Sequence, residues 1–170
     1  MLQTRLFAAL LIIFVVIGFD QATKWIAWEN FYGNTVTVLP FLNFVLIINK
    51  GIAFGMLEGI VTNEIIIAAS SFMVIVLTFI MLKSERTTVS FALSLVIGGA
   101  ISNIIDRMRT VDNFRLEGVI DFLDFHFAGW HYPAFNIADA CIVIGVLFLI
   151  YDLIYLEPKD KRKQNEKDEY

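Results

Sequence analysis

Asp121 and Asp139 are the residues of this chain best placed to do chemistry. They bracket a stretch that opens Val119-Ile120-Asp121-Phe122-Leu123-Asp124-Phe125, passes through aromatic and small residues, and closes Phe135-Asn136-Ile137-Ala138-Asp139. An apolar run follows the second aspartate. A carboxylate beside hydrocarbon is costly, so two of them kept there are candidates for function. A pair of carboxylates holding one water can work as base and acid. The ionised one takes a proton from water as it attacks a carbonyl, and the protonated one polarises or protonates the carbonyl oxygen. Two like charges a few ångströms apart cannot both stay ionised, so one proton is shared, as in aspartic proteases.

Asp124 is the rival for the first position. Its three-residue offset from Asp121 makes it a poor substitute, and it reads as a loop residue. Other chemistries find less support. His126 and His131 are five apart in an aromatic loop, and no His-Glu-x-x-His occurs, so no metal site is expected. Neither Ser-x-x-Lys nor Gly-x-Ser-x-Gly is present to activate a serine. No glycine loop suited to phosphate and no basic stripe suited to nucleic acid is found, and no cofactor is implied. The lone Cys141 lies in an apolar run and reads as a small buried residue.

The elements that must position these residues follow from composition. Of 170 residues, 58% are hydrophobic and 18% charged, with a mean hydropathy of +0.70. Soluble domains hold about a quarter charged residues, so this excess of apolar surface faces lipid. Apolar segments run from Leu6 through Asp20 and Lys24 to Trp28, from Ile65 to Leu82, from Thr87 to Ile105, and from about Phe135 to Leu156. A span needs about 20 residues, so the reading is an all-α integral membrane protein of four transmembrane helices.

The first segment leads into Asp20–Lys24 and the interfacial residues Trp25 and Trp28, with no small-x-small cleavage site, and is expected to be a retained span. With both termini inside, Arg5, Lys83, Arg86, Lys159, Lys161, Arg162, Lys163 and Lys167 are cytoplasmic, as the positive-inside rule favours. The membrane domain then covers 1–156, with outer loops of about 29–64 and 108–134. Residues 157–170 form a charged cytoplasmic tail, expected to be disordered. Thr35–Leu39 and Phe41–Ile48 are β-branched and aromatic, punctuated by Asn34 and Pro40. They predict a small extracytoplasmic β-sheet between helices 1 and 2, resting on the outer leaflet.

Further polar residues gather at the same membrane depth. Asp20 and Lys24 share a helix face, and alone would read as an interfacial ion pair. Gly99, Asn103 and Arg107 recur every four residues; the glycine lets another helix approach, and the other two offer hydrogen bonds on the same side. Asn49 and Gly51 lie in a turn after the sheet. Asn136 shares a face with Asp139 where the fourth helix begins.

Together these motifs resemble a family. Asp20-x-x-x-Lys24, Asn49-x-Gly51-x-Ala53-Phe54, Gly98-Gly99-Ala100-x-x-Asn103-x-x-Asp106-Arg107, Val119-x-Asp121-Phe122 and Phe135-Asn136-x-Ala138-Asp139 look like the blocks of lipoprotein signal peptidase (signal peptidase II), in order and across nearly the whole chain outside the tail. The resemblance implies an inner-membrane aspartic endopeptidase of bacteria. It removes the signal peptide of prolipoproteins just before a cysteine already carrying diacylglycerol, with its active site near the outer face. By motif, Asp121 and Asp139 match the catalytic dyad. Asp20, Lys24, Asn49, Gly51, Gly99, Asn103, Arg107, Asn136 and Ala138 match positions that support the dyad or contact the lipopeptide and the inhibitor globomycin. Ile52 and Ser102 depart from the small residues usual at their positions, and Arg109–Gly118 is long for the family. The expected partners are the prolipoprotein and membrane lipid, with the chain acting as a monomer. The alternative reading is a small proton-coupled transporter with Asp20, Asp106 and Asp139 as a relay. It expects polar residues at mid-membrane and repeated, interrupted helices, and the sequence shows neither.

Overall fold

The computed structural model describes residues 2–52, 56, 58–111 and 114–158. Ala53 and Phe54 of the Asn49 motif, Asp112 and Asn113 of the long loop, and residues 159–170 of the tail lie outside the described residues. The elements in order are α1 (Leu2–Phe31), β1 (Val36–Leu39), β2 (Leu42–Asn49), α2 (Asn63–Lys83), α3 (Thr87–Met108), β3 (Thr110–Val111), β4 (Phe114–Arg115), β5 (Val119–Phe127), β6 (Trp130–His131) and α4 (Ile137–Tyr151). A π-helical turn, Asp152–Leu156, prolongs α4. Four helices are long and apolar enough to cross a membrane, as expected.

Helix α3 is the hub of the bundle and packs against α1, α2 and α4. Small residues make this possible. A Cβ added at Gly99 would lie 2.5 Å from the Ala138 carbonyl oxygen, and one at Gly145 would lie 2.7 Å from that of Ala92. The two helices therefore approach backbone to backbone at both ends of their contact, which only glycine permits. On the other side of α3, Leu93 and Ile97 join Ala9 of α1 and Met81 of α2 in a buried apolar cluster.

The sheet is larger than the sequence predicts. Its order is β1-β2-β5-β6, all antiparallel, so half of it comes from the second long loop. Val119–Phe127 is rich in β-branched and aromatic residues, a strand composition masked by two aspartates that disfavour strands and, three residues apart, break any strict alternation. Asp124 thus lies on a strand and not in a loop. Its partner across the sheet is Asn43, whereas Asp121 faces Ile47. Between these pairs β2 carries one extra residue, a bulge beside Asp121. After β6 the chain folds back along β5, with Phe122 and Leu123 N–H donating to the Phe135 carbonyl at 3.1 and 2.9 Å. That return delivers Asn136, the N-cap of α4, next to Asp121.

Candidate active site

Asp121 is brought to the site by β5 and Asp139 by the first turn of α4. The Asn136 side chain accepts from the Asp139 N–H at 2.9 Å, and the Asp139 carboxylate accepts from the Asn136 N–H at 3.3 Å. This reciprocal cap fixes both residues and places a negative side chain where the helix dipole favours one. The Asn136 side chain also donates to Asp121 Oδ1 at 2.7 Å. One residue therefore holds both carboxylates.

Each carboxylate has a second donor. Asn49 Nδ2 donates to Asp121 Oδ2 at 3.0 Å, and Asn103 Nδ2 donates to Asp139 Oδ1 at 2.9 Å. Asn49 is itself set by its turn, where the Gly51 N–H donates to Asn49 Oδ1 at 3.1 Å. Arg107 is buried, and its guanidinium donates to the Gly51 carbonyl and, at 3.3 Å, to Asn63 Oδ1. Asp121 is 2% exposed. Burial and the neighbouring Asp139 charge push its carboxyl up to about 7, against the opposing pull of Asn49, Asn136 and Lys24. Asp121 thus holds its proton in the range where an unperturbed aspartate is ionised.

Behind the pair is a wholly buried ionic cluster. Lys24 Nζ lies 2.7 Å from Asp20 Oδ2 and 2.9 Å from Asp106 Oδ2, and donates to Asn103 Oδ1 at 2.8 Å. The pair Asp20–Lys24 is therefore no interfacial bridge, because α1 continues to Phe31 and both side chains are fully buried. The cluster also grips both dyad segments. Asp20 Oδ1 accepts from the Ala138 N–H at 2.8 Å, and Asp106 Oδ2 accepts from the Ile120 N–H at 3.1 Å. Lys24, acting through Asn103, orients Asp139 itself.

Two residues outside the motif matches complete this cluster. Gln21 donates to Asp106 Oδ1 at 2.8 Å, and the Ser102 hydroxyl donates to Asp20 Oδ2 at 2.7 Å. Ser102, where the family's motif favours glycine, therefore has a polar use here. Asp106 is the most important residue that the reading of candidate sites passed over. Its signal was available, since it lies three residues after Asn103 on the same helix and a buried Lys24 needs more than one anion.

Asp121 and Asp139 line one cleft of about 570 Å³, together with Asn49, Asn103, Arg107 and apolar residues of α2, α3 and α4. Asp20, Lys24, Asn136 and Ala138 stand behind its wall, Gly51 beside it, and Gly99 in the α3–α4 contact. The structure thus gathers the sequence-derived residues into one connected region. Asp124 stands apart. Burial works against its charge, but hydrogen bonds from Asn43 (2.9 Å) and His131 (2.7 Å) hold its carboxyl below the usual carboxylate range.

A four-helix membrane protein with a sheet at one end, carrying paired aspartates on the wall of one cleft, is of the class of intramembrane aspartic peptidases. Residues 12–155 match the family model described as signal peptidase (SPase) II. The chain is 42% identical over 148 residues to the lipoprotein signal peptidase of Paraburkholderia phymatum, covering 81% of this chain and 82% of that protein. It is 40% identical over 143 residues to the lipoprotein signal peptidase of Burkholderia mallei, covering 81% and 82%. Two solved bacterial membrane enzyme structures, determined by the in meso method at 2.3 and 1.9 Å, superpose with TM-scores of 0.75 and 0.74 at 33% identity. The first match covers 86% of this chain and 87% of the solved one, the second 87% and 93%. The chain belongs to the signal peptidase II family and is a membrane protease. Nothing in the fold or its relatives favours the transporter alternative.

Proposed function

We propose that this protease removes the signal peptide from diacylglyceryl-modified bacterial prolipoproteins, cutting before the lipidated cysteine, with Asp121 and Asp139 as its catalytic dyad. The observation that carries the assignment is that two carboxylates from separate segments are held by one asparagine on the wall of one cleft. In this reading Asp121 holds the shared proton and Asp139 is the ionised partner. Asp139 takes a proton from the attacking water, and Asp121 protonates the scissile carbonyl oxygen. Collapse of the tetrahedral intermediate breaks the C–N bond. The proton taken from water goes to the leaving cysteine nitrogen, and the carbonyl oxygen's proton returns to Asp121. Asn49, Asn103 and Asn136 hold the pair; Arg107 and Gly51 fix the turn that carries Asn49.

The site's place in the cell follows from charge. Arg5, Lys83 and Arg86 stand at the helix ends remote from the dyad, which favours a cytoplasmic location for that end and for both termini. The dyad then lies near the outer face of the inner membrane. Exposed Val38, Phe41, Phe127 and Trp130 give the sheet apolar edges suited to the outer leaflet. The proposed working form is a monomer, since the cleft and its supporting network are built within one chain.

Incubation of the purified protein with lipidated and unmodified prolipoprotein, with and without globomycin, tests this reading. Cleavage of the lipidated form alone, blocked by globomycin, is expected. Equal cleavage of both forms would remove the lipid from the recognition rule.

A further inference from the structure

At the opposite end of the bundle from the dyad, α1 and α3 part to leave a groove of about 840 Å³. Its mouth carries Thr4, Arg5 and Glu85, and deeper along the helices its walls are Ala8, Ile12 and Phe91, with Ser90 the one polar residue among them. Residues 5, 8 and 12 form one stripe of α1, and Ile12 lies about 10 Å further into the membrane than Arg5 at 1.5 Å per residue. The groove is therefore charged at the helix ends and apolar toward the hydrocarbon, which is the polarity profile of a phospholipid. Its volume suits a headgroup and the upper part of a chain.

The charges select among lipids. Arg86, beside Glu85 in sequence, is committed to Asp152 of the α4 end at 2.8 Å. No side-chain hydrogen bond or ion pair among the described residues engages Arg5 or Glu85. Arg5 is half-buried and Glu85 exposed at the same mouth. A guanidinium matches a phosphate, and a carboxylate matches a primary ammonium through charge-assisted hydrogen bonds. An anionic headgroup would meet Glu85 as a like charge, and a quaternary ammonium has no N–H to give it. We propose that this groove is a binding site for a phospholipid with an aminoethyl-phosphate headgroup, its phosphate on Arg5 and its ammonium on Glu85. The site is separate from the dyad and does not depend on the peptidase reading.

Native mass spectrometry of the full chain, released from nanodiscs of equal phosphatidylethanolamine, phosphatidylcholine and phosphatidylglycerol, reads the selection directly. Phosphatidylethanolamine is expected to be retained in preference to both others. Arg5→Gln and Glu85→Gln should each lower that retention about tenfold, the equivalent of about 1.4 kcal/mol for a lost charge-assisted contact. Melting temperatures in one detergent show that the variants fold. Benzoylphenylalanine in place of Ala8 should crosslink to the same lipid on illumination. Preferential retention of phosphatidylglycerol, indifference among the three lipids, or retention unchanged in both variants would overturn the proposal. So would a crosslink to residues 159–170 or to a second copy of the chain, either of which would name a different occupant.

Discussion

Asp121→Asn and Asp139→Asn are each expected to leave a folded membrane protein whose cleavage of lipidated prolipoprotein is at least about 10³-fold slower than wild type. Asparagine keeps the shape of aspartate but can neither take a proton from water nor return one to a carbonyl oxygen. The fold should tolerate the change. Asp121 is buried and its carboxyl already pushed up to about 7, so a neutral side chain removes a desolvation cost while losing at most one of the bonds from Asn49 and Asn136. Asp139→Asn keeps an acceptor for the Asn136 N–H, which preserves the helix cap. The measurement is a pair: melting temperature in detergent, and the gel shift of the substrate at fixed enzyme. Near-normal processing by either variant would remove that aspartate from the chemistry.

Lys24→Met should act on stability first. The ammonium makes three contacts, with Asp20, Asp106 and Asn103, which uses all three of its donors. All three charged side chains are fully buried. Removing the cation leaves two buried like charges facing each other, and breaking a buried pair from one side costs about 3–5 kcal/mol. The loss should appear as a lower melting temperature and a lower yield of folded protein. Adding Asp106→Asn to Lys24→Met should restore part of it, because one of the stranded charges is gone. If Lys24→Met melted with wild type, the cluster would not be holding the ends of β5 and α4 together. A variant that folds but cuts slowly would still make Lys24 a positioning residue, through Asn103 or through the Asp20 and Asp106 contacts to Ala138 and Ile120.

These two variants also mark what was legible in the sequence. Four spans could be read because lipid-facing helices leave long uncharged runs, and nothing in the tertiary structure changes that signal. The aspartates could be read because charge at the edge of such a run is rare. Helical spacing put Asn103 and Arg107 on one face and Asn136 beside Asp139 on another, and the motif resemblance tied all three to the dyad. The second half of the sheet could not be read. Val119–Phe127 becomes a strand because β2 offers it a bulged edge, and two aspartates three residues apart leave it without a strand's alternation. The depth of the Asp20–Lys24 pair was hidden too. Its i,i+4 spacing is the same for a surface bridge and a buried one. Only the presence of Asp106 and Asn103 on the facing helix distinguishes them. Asp124 reads as a loop residue in the sequence, whereas it lies on β5 and is bonded to Asn43 and His131, away from Asp121 and Asp139.

The central claim is that the two aspartates share one proton, and the pH dependence of single-turnover cleavage tests it most directly. Because the Asp121 carboxyl is raised from 3.8 to about 7, Asp121 holds its proton below pH 7 and loses it above. The one-proton pair therefore disappears as pH rises. The same shift makes the folded state weaker over that window, since a raised carboxyl contributes stability below its unfolded value that is lost as pH rises through the folded one. Rates should accordingly be read with melting temperatures at each pH. The expected result is a rate that falls as pH rises through about 7 while the protein stays folded. A rate that climbs through pH 7 and holds on the alkaline side would contradict the shared proton.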